Sequence, residues 1–219
     1  MIRIALIAVA GLAAGAVAQN DPLHITIDTA SGQQGDQIIT DVGWHMDEDM
    51  YSWSGDRHLL KDGEIHVFVI SDVYSGGDWD GRYFGNGPRL TTAFYFPTGR
   101  PLGGDFYFAI GGVQEVNGGD PAVFGWGENH NGMLMNTGES DGATREERSY
   151  YARNNYHMHH QIESFSEEGL YDVTLVAWDG LGKYADADPF TLRFEVIPAP
   201  ASAAALGLAG LTAFRRRRA

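Results

Sequence analysis

From Asp21 to Val196, hydrophobic and polar residues alternate with a period of two, the period of strands with one buried face. The alternation is cleanest near the end. Phe190, Leu192, Phe194 and Val196 fall on one side, and Thr191, Arg193 and Glu195 on the other. Upstream, Tyr171, Val173, Leu175 and Ala177 alternate with Asp172, Thr174, Val176 and Trp178. Between them Asp179-Gly180-Leu181-Gly182 supplies turn chemistry, so the two segments are expected to pair. Shorter candidates lie at 23–28, 37–42, 64–72, 90–96, 105–111, 122–126 and 157–164, parted by Gly, Asn, Asp and Pro clusters. Only 144–155 reads as a helical turn or two. The expected body is all-β: a single antiparallel β-sandwich, jelly-roll or immunoglobulin-like, of about nine strands. The glycine-rich stretch 72–88 is too long for a hairpin turn and is the expected functional loop.

The two ends break the pattern. Arg3, an apolar run over 4–14 and Ala16-Val17-Ala18 read as a signal peptide over 1–18, with Ala16 and Ala18 marking the cleavage site. That run is too short to span a membrane. At the other end Val196-Ile197-Pro198-Ala199-Pro200 leads into 201–214, which carries no charge, and then Arg215, Arg216, Arg217 and Arg218. Counted from Ile197 the uncharged stretch is 18 residues, about the least that crosses a bilayer as a short transmembrane helix. Four arginines stay on the cytoplasmic side and stop translocation. The expected organisation is a signal peptide over 1–18, a β domain over 19–196 and a sorting tail over 197–219.

Charge and composition narrow the function. The chain has 219 residues, 29 acidic and 15 basic, a net charge of −14 and no cysteine. One arginine lies in the signal and four in the tail, while every acid lies between them, so the body carries −19. Such a surface repels nucleic acid. The lack of cysteine excludes a disulfide scaffold, thiolate catalysis and Cys-ligated zinc or iron–sulfur.

Candidate chemistry is sparse. On a strand His157 and His159 face one side, about 6–7 Å apart, a spacing that suits one zinc, copper or nickel ion. A third ligand is sought at His130, Glu128, His45 or Asp47. Asp47-Glu48-Asp49 and Asp78-Trp79-Asp80-Gly81 offer oxygen ligands for calcium without EF-hand spacing. Trp79 and Tyr83, in the glycine-rich stretch, are the best-placed rings for stacking on a sugar. No nucleophile elbow, zinc-protease helix or phosphate-binding loop is present, so no catalytic residue is assigned and the expected protein is not an enzyme. A carboxylate pair acting on polysaccharide would leave no local signature and stays open.

The tail resembles the PEP-CTERM sorting signal of Gram-negative bacteria, a Pro-containing motif followed by an apolar helix and a terminal arginine cluster. Ala199 stands where that family usually has Glu between the prolines. The resemblance implies export by the Sec machinery, removal of the leader by signal peptidase, transient anchoring in the inner membrane and cutting near Pro198, Ala199 and Pro200 by an exosortase-type enzyme. The cell surface or extracellular matrix is then the destination, with extracellular polysaccharide as a candidate partner. Within the body, His157-Met158-His159-His160-Gln161-Ile162-Glu163-Ser164-Phe165 runs into Glu168-Gly169-Leu170-Tyr171-Asp172-Val173-Thr174-Leu175. This resembles choice-of-anchor M and related actinobacterial surface-anchored domains, and implies a surface location and a β-sandwich rather than a chemistry. On the residues alone, Gly169 turns the chain and Tyr171 pins a corner, as in many sandwiches.

Overall fold

A computed structural model describes residues 23–44, 58–59, 67–85, 89–92, 102–130, 133–153, 156–158 and 161–197. The signal peptide, the tail from Pro198 onward, His45, Asp47, His159 and His160 lie outside the described residues. Among the described residues no helix is long and apolar enough to cross a membrane, and the expected span over 201–214 is not among them.

The described chain is all-β, with one 3-10 turn at Gly77–Trp79. In chain order the strands are β1 (Leu23–Thr29), β2 (Ile38–Trp44), β3 (His58–Leu59), β4 (Val67–Ile70), β5 (Asp72–Val73), β6 (Tyr83–Gly85), β7 (Arg89–Thr92), β8 (Phe106–Glu115), β9 (Phe124–His130), β10 (Met133–Glu139), β11 (Ser149–Tyr151), β12 (Tyr156–Met158), β13 (Gln161–Phe165), β14 (Gly169–Asp179) and β15 (Phe190–Val196). They form three sheets, ordered β12-β7-β1-β2-β3, β10-β9-β13-β6-β5 and β11-β8-β14-β15-β4.

Among the described strands two pairs depart from a purely antiparallel plan, and an isolated parallel bridge joins Gln37 to Ala185. β1 runs parallel to β7, and β15 parallel to β4. Both pairs join segments far apart in sequence, where no tight turn imposes antiparallel direction. The expected strand over 157–164 is two strands, β12 and β13, on different sheets. Of the helical turn or two expected over 144–155 one turn forms, the Arg148 amide donating to the Thr144 carbonyl at 3.2 Å, and β11 follows it. Glu147 Oε2 accepts the Ala143 and Thr144 amides and closes that turn, so the chain emerges extended at Ser149.

The alternation read in β14 and β15 is realised. Tyr171, Val173, Leu175, Ala177, Leu192, Phe194 and Val196 are buried, and Thr191 and Glu195 are exposed. The corner forms as well: the Tyr171 hydroxyl donates to the Glu168 carbonyl at 2.9 Å. Gly169 has φ 154, and a Cβ there would meet the Tyr171 ring at 2.8 Å.

Aromatic rings join the second and third sheets. Phe194 lies 5.6 Å from Phe124 and 5.3 Å from Phe165, and Phe108 lies 5.5 Å from Trp126. Ile25, Ile27 and Ile38 of the first sheet enter the same core. The far face of the second sheet is covered too. Trp79, Tyr74 and Ile162 form a small cluster there, joined by Phe84 and Leu134. Every residue of β13 is therefore buried, including Gln161, Glu163 and Ser164.

Candidate functional site

The core turns polar at one end of β9 and β13. Their register opposes Glu163 to Trp126 and Gln161 to Glu128, so these four side chains share the face carrying Phe124 and Phe165. Glu128 is 0% exposed and Glu163 is 1% exposed. Burying a carboxylate is costly unless hydrogen bonds replace its water.

Glu128 is fully provided for. Its Oε1 accepts from Asn136 Nδ2 at 2.8 Å and from the Tyr150 hydroxyl at 3.4 Å. Its Oε2 meets His130 Nε2 at 2.7 Å and Arg153 Nη2 at 3.3 Å. Tyr150 is buried and stacks on Trp126 with ring centroids 5.0 Å apart. Burial first, then the negative fields of Glu128 and Glu163, push its hydroxyl well above the ordinary tyrosine range. It stays a neutral donor.

Backbone geometry marks the same spot. Among the described residues two non-glycine positions have positive φ, Asn136 at 53° and Arg153 at 62°. Both donate to Glu128. Asn136 lies where the β9–β10 register shifts, between Met135 and Gly138. A conformation L-residues resist is thus held twice around one carboxylate. The cluster reaches solvent through His130 and Arg153, whose side chains are 37% and 31% exposed. With four groups on its two oxygens, Glu128 orients its neighbours and has no lone pair in reserve for proton abstraction.

The glycine-rich stretch forms a second feature. Trp79 is 1% exposed, its indole N–H donating to Glu139 Oε1 at 2.9 Å while Arg82 donates to Oε2 at 2.8 Å. It lies over Gly125 and Gly127, where a Cβ would come within 2.7 Å and 3.3 Å of its ring. The Gly76 amide donates to Asp80, and Gly76 and Gly77 have φ of 92° and 67°. Beside this loop an open groove of about 380 Å³ is lined by Tyr74, Asp78, Trp79, Leu134, Thr137 and Glu139, together with Met133 and the glycines of the loop.

The sequence-derived candidates separate accordingly. His130 joins Glu128, a pair within the set considered for metal. His157 lies on β12 opposite Thr91, and its intended partner His159 is outside the described residues. No three His, Cys, Asp or Glu among the described residues are grouped to hold a metal. Asp80 is spent on closing its own loop, and Asp47 and Glu48 are not described. Trp79 faces inward and offers no ring to a sugar. The Tyr83 hydroxyl donates to Glu168, which raises its pKa. Sequence reasoning missed Asn136, Tyr150, Arg153 and Glu163, because strand register alone brings them together. The one local signal was Glu128 two residues from His130 at a strand end. Comparison with protein-family models, with curated proteins and with solved structures finds no match to this chain.

Proposed function

We propose that the protein is a non-catalytic, exported component of the cell surface or extracellular matrix, a β-sandwich of the jelly-roll or immunoglobulin-like kind carrying a PEP-CTERM-like tail. The observation that carries this reading is where the body ends. β15 stops at Val196, and the Ile197 amide closes onto the Ile70 carbonyl at 2.9 Å. Everything after that is uncharged until Arg215. The packing of the second and third sheets through Phe124, Phe165 and Phe194 supports the sandwich. The saturated hydrogen bonding of Glu128 supports a role other than acid–base catalysis.

In this reading the tail pauses in the inner membrane while the acidic body hangs outside, until an exosortase-type enzyme cuts near Pro198–Pro200. Replacing Arg215–Arg218 with Glu in the exporting host tests it. The expected result is loss of retention and of C-terminal cutting, read by mass spectrometry of the mature chain. Unchanged maturation, or intact chains recovered from the cytosol, rejects it.

The groove beside the glycine-rich loop favours a second reading, a binder of extracellular polysaccharide. Its volume of about 380 Å³ accommodates a sugar unit, and Asp78, Thr137 and Glu139 present hydroxyl-binding oxygens. Glycan-array binding abolished by Asp78→Ala supports it; a silent array removes it.

A further inference from the structure

We infer that the groove between the glycine-rich loop and β10 selects a cationic polysaccharide, one built of amino sugars with free ammonium groups. The inference rests on the reading of this groove as a polysaccharide site and names the class of sugar it takes. The chemistry of the lining carries it. Asp78 and Glu139 bring carboxylates and Thr137 a hydroxyl, while no lysine, arginine or histidine lines the groove among the described residues. Glu139 is already engaged: Trp79 Nε1 and Arg82 Nη2 donate to its two oxygens at 2.9 and 2.8 Å, and the guanidinium offsets its charge. Asp78 is exposed and makes no hydrogen bond or ion pair with a described residue. Its negative charge stands at the groove uncompensated.

Three considerations fix the sign of the ligand's charge. Ionised carboxylates only accept hydrogen bonds, so the ligand must bring the donors. A sugar hydroxyl can do so, but an ammonium brings three donors and a positive charge, and bonds between ionised partners are roughly twice as strong as neutral ones. Secondly, a polymer bearing uronate or sulfate would set like charge against Asp78, with no cation in the lining to receive it. Such like-charge contact is how binding surfaces reject wrong partners. Thirdly, the body between leader and tail carries −19, a field that gathers and steers polycations. The remaining lining suits a sugar ring. Tyr74 and Leu134 belong to the small apolar cluster on this face and also line the groove, giving the C–H side of a pyranose a surface to pack on. The Thr137 hydroxyl both donates and accepts, and so matches a sugar hydroxyl. A lysine side chain of a peptide would offer Asp78 the same ammonium but Thr137 no hydroxyl.

The test titrates the full chain calorimetrically with a glucosamine tetramer, its fully N-acetylated counterpart, a galacturonate tetramer and tetralysine. The glucosamine tetramer is expected to bind tightest, the N-acetylated one about fivefold more weakly and galacturonate not at all. Fivefold is what one exposed ion pair gives at its best. The preference is expected to narrow between about 0.01 and 0.15 M salt, as the screening length falls from about 30 to about 8 Å. Asp78→Asn keeps the side chain's shape and breaks no hydrogen bond, so circular dichroism and Tm are expected to stay at wild-type values while the fivefold preference disappears. If the N-acetylated or galacturonate tetramer binds as tightly as the glucosamine tetramer, the inference is overturned and the polysaccharide reading stands. The inference is equally overturned if Asp78→Asn keeps the preference, or if tetralysine binds as tightly, because overall charge and not the groove would then select the ligand. If none of the three saccharides binds, both fall.

Discussion

At the scale of single residues, Glu128 has the largest stake in the fold. Removing its carboxylate by Glu128→Ala leaves Asn136, Tyr150 and Arg153 turned toward a site with no acceptor. Breaking a buried charged network costs about 3–5 kcal/mol, and the two left-handed residues lose what holds them. The expected outcome is an unfolding free energy lowered by that amount, read as a lower denaturant midpoint at constant m-value. A loss below about 1 kcal/mol, the range of a surface change, would mean that water replaces the carboxylate. Of this only the closeness of Glu128 and His130 was legible in the sequence. A glutamate on an alternating strand reads as outward-facing, and only the β9–β13 register shows that the face it shares is the core face. By contrast, Tyr171 was readable, because its partner is the carbonyl of Glu168, three residues away.

At the scale of elements, what the sequence disclosed tracks how one-sided each strand is. β14 and β15 have one dry and one wet face, and their alternation was plain. β13 is dry on both faces and contains Gln161 and Glu163, so polarity there misleads. β9 was cut short at Trp126 because Gly125 and Gly127 carry no hydropathic signal. Their missing side chains make room for Trp79. β10 was missed because its exposed methionines and its register shift erase the alternation. The glycine strip gives a prediction at this scale. In Gly125→Ala the new methyl group would lie 2.7 Å from the Trp79 ring and 2.8 Å from Ser164 Oγ, so the loop must lift. Overpacking of this kind costs about 1–3 kcal/mol. The loss should appear as a lower Tm together with a red-shifted tryptophan emission. Gly112→Ala is the matched control, since nothing lies within 4 Å of its Cβ position. Equal effects of the two substitutions would show that glycine's backbone freedom, and not room for Trp79, is what matters at Gly125.

At the scale of the whole molecule, the sheets share one core while their surface carries a strong excess of negative charge. The few cations that touch acids are already used. Arg193 forks onto Asp172 at 2.7 Å on each nitrogen, Arg145 meets Asp186 at 2.7 Å, and Arg82 meets Glu139 at 2.8 Å. Acids outnumber bases 29 to 15 in the chain, and the self-repulsion of that excess acts on the compact state more than on the expanded chain. Raising ionic strength from about 0.01 to 0.15 M shortens the screening length from about 30 to about 8 Å. Repulsion spread over the surface is screened by that change, while the buried Glu128 network is not. The purified body should therefore gain Tm on adding sodium chloride, with most of the gain below about 0.15 M, where the screening length changes most. Sodium chloride and tetramethylammonium chloride at equal ionic strength should act alike, because screening does not depend on the cation's identity. A gain given by calcium alone, at millimolar concentration, would instead locate a specific oxygen site and return the acidic loops to consideration as ligands. If no salt moves Tm, the acids are spaced widely enough that self-repulsion is no part of the molecule's stability.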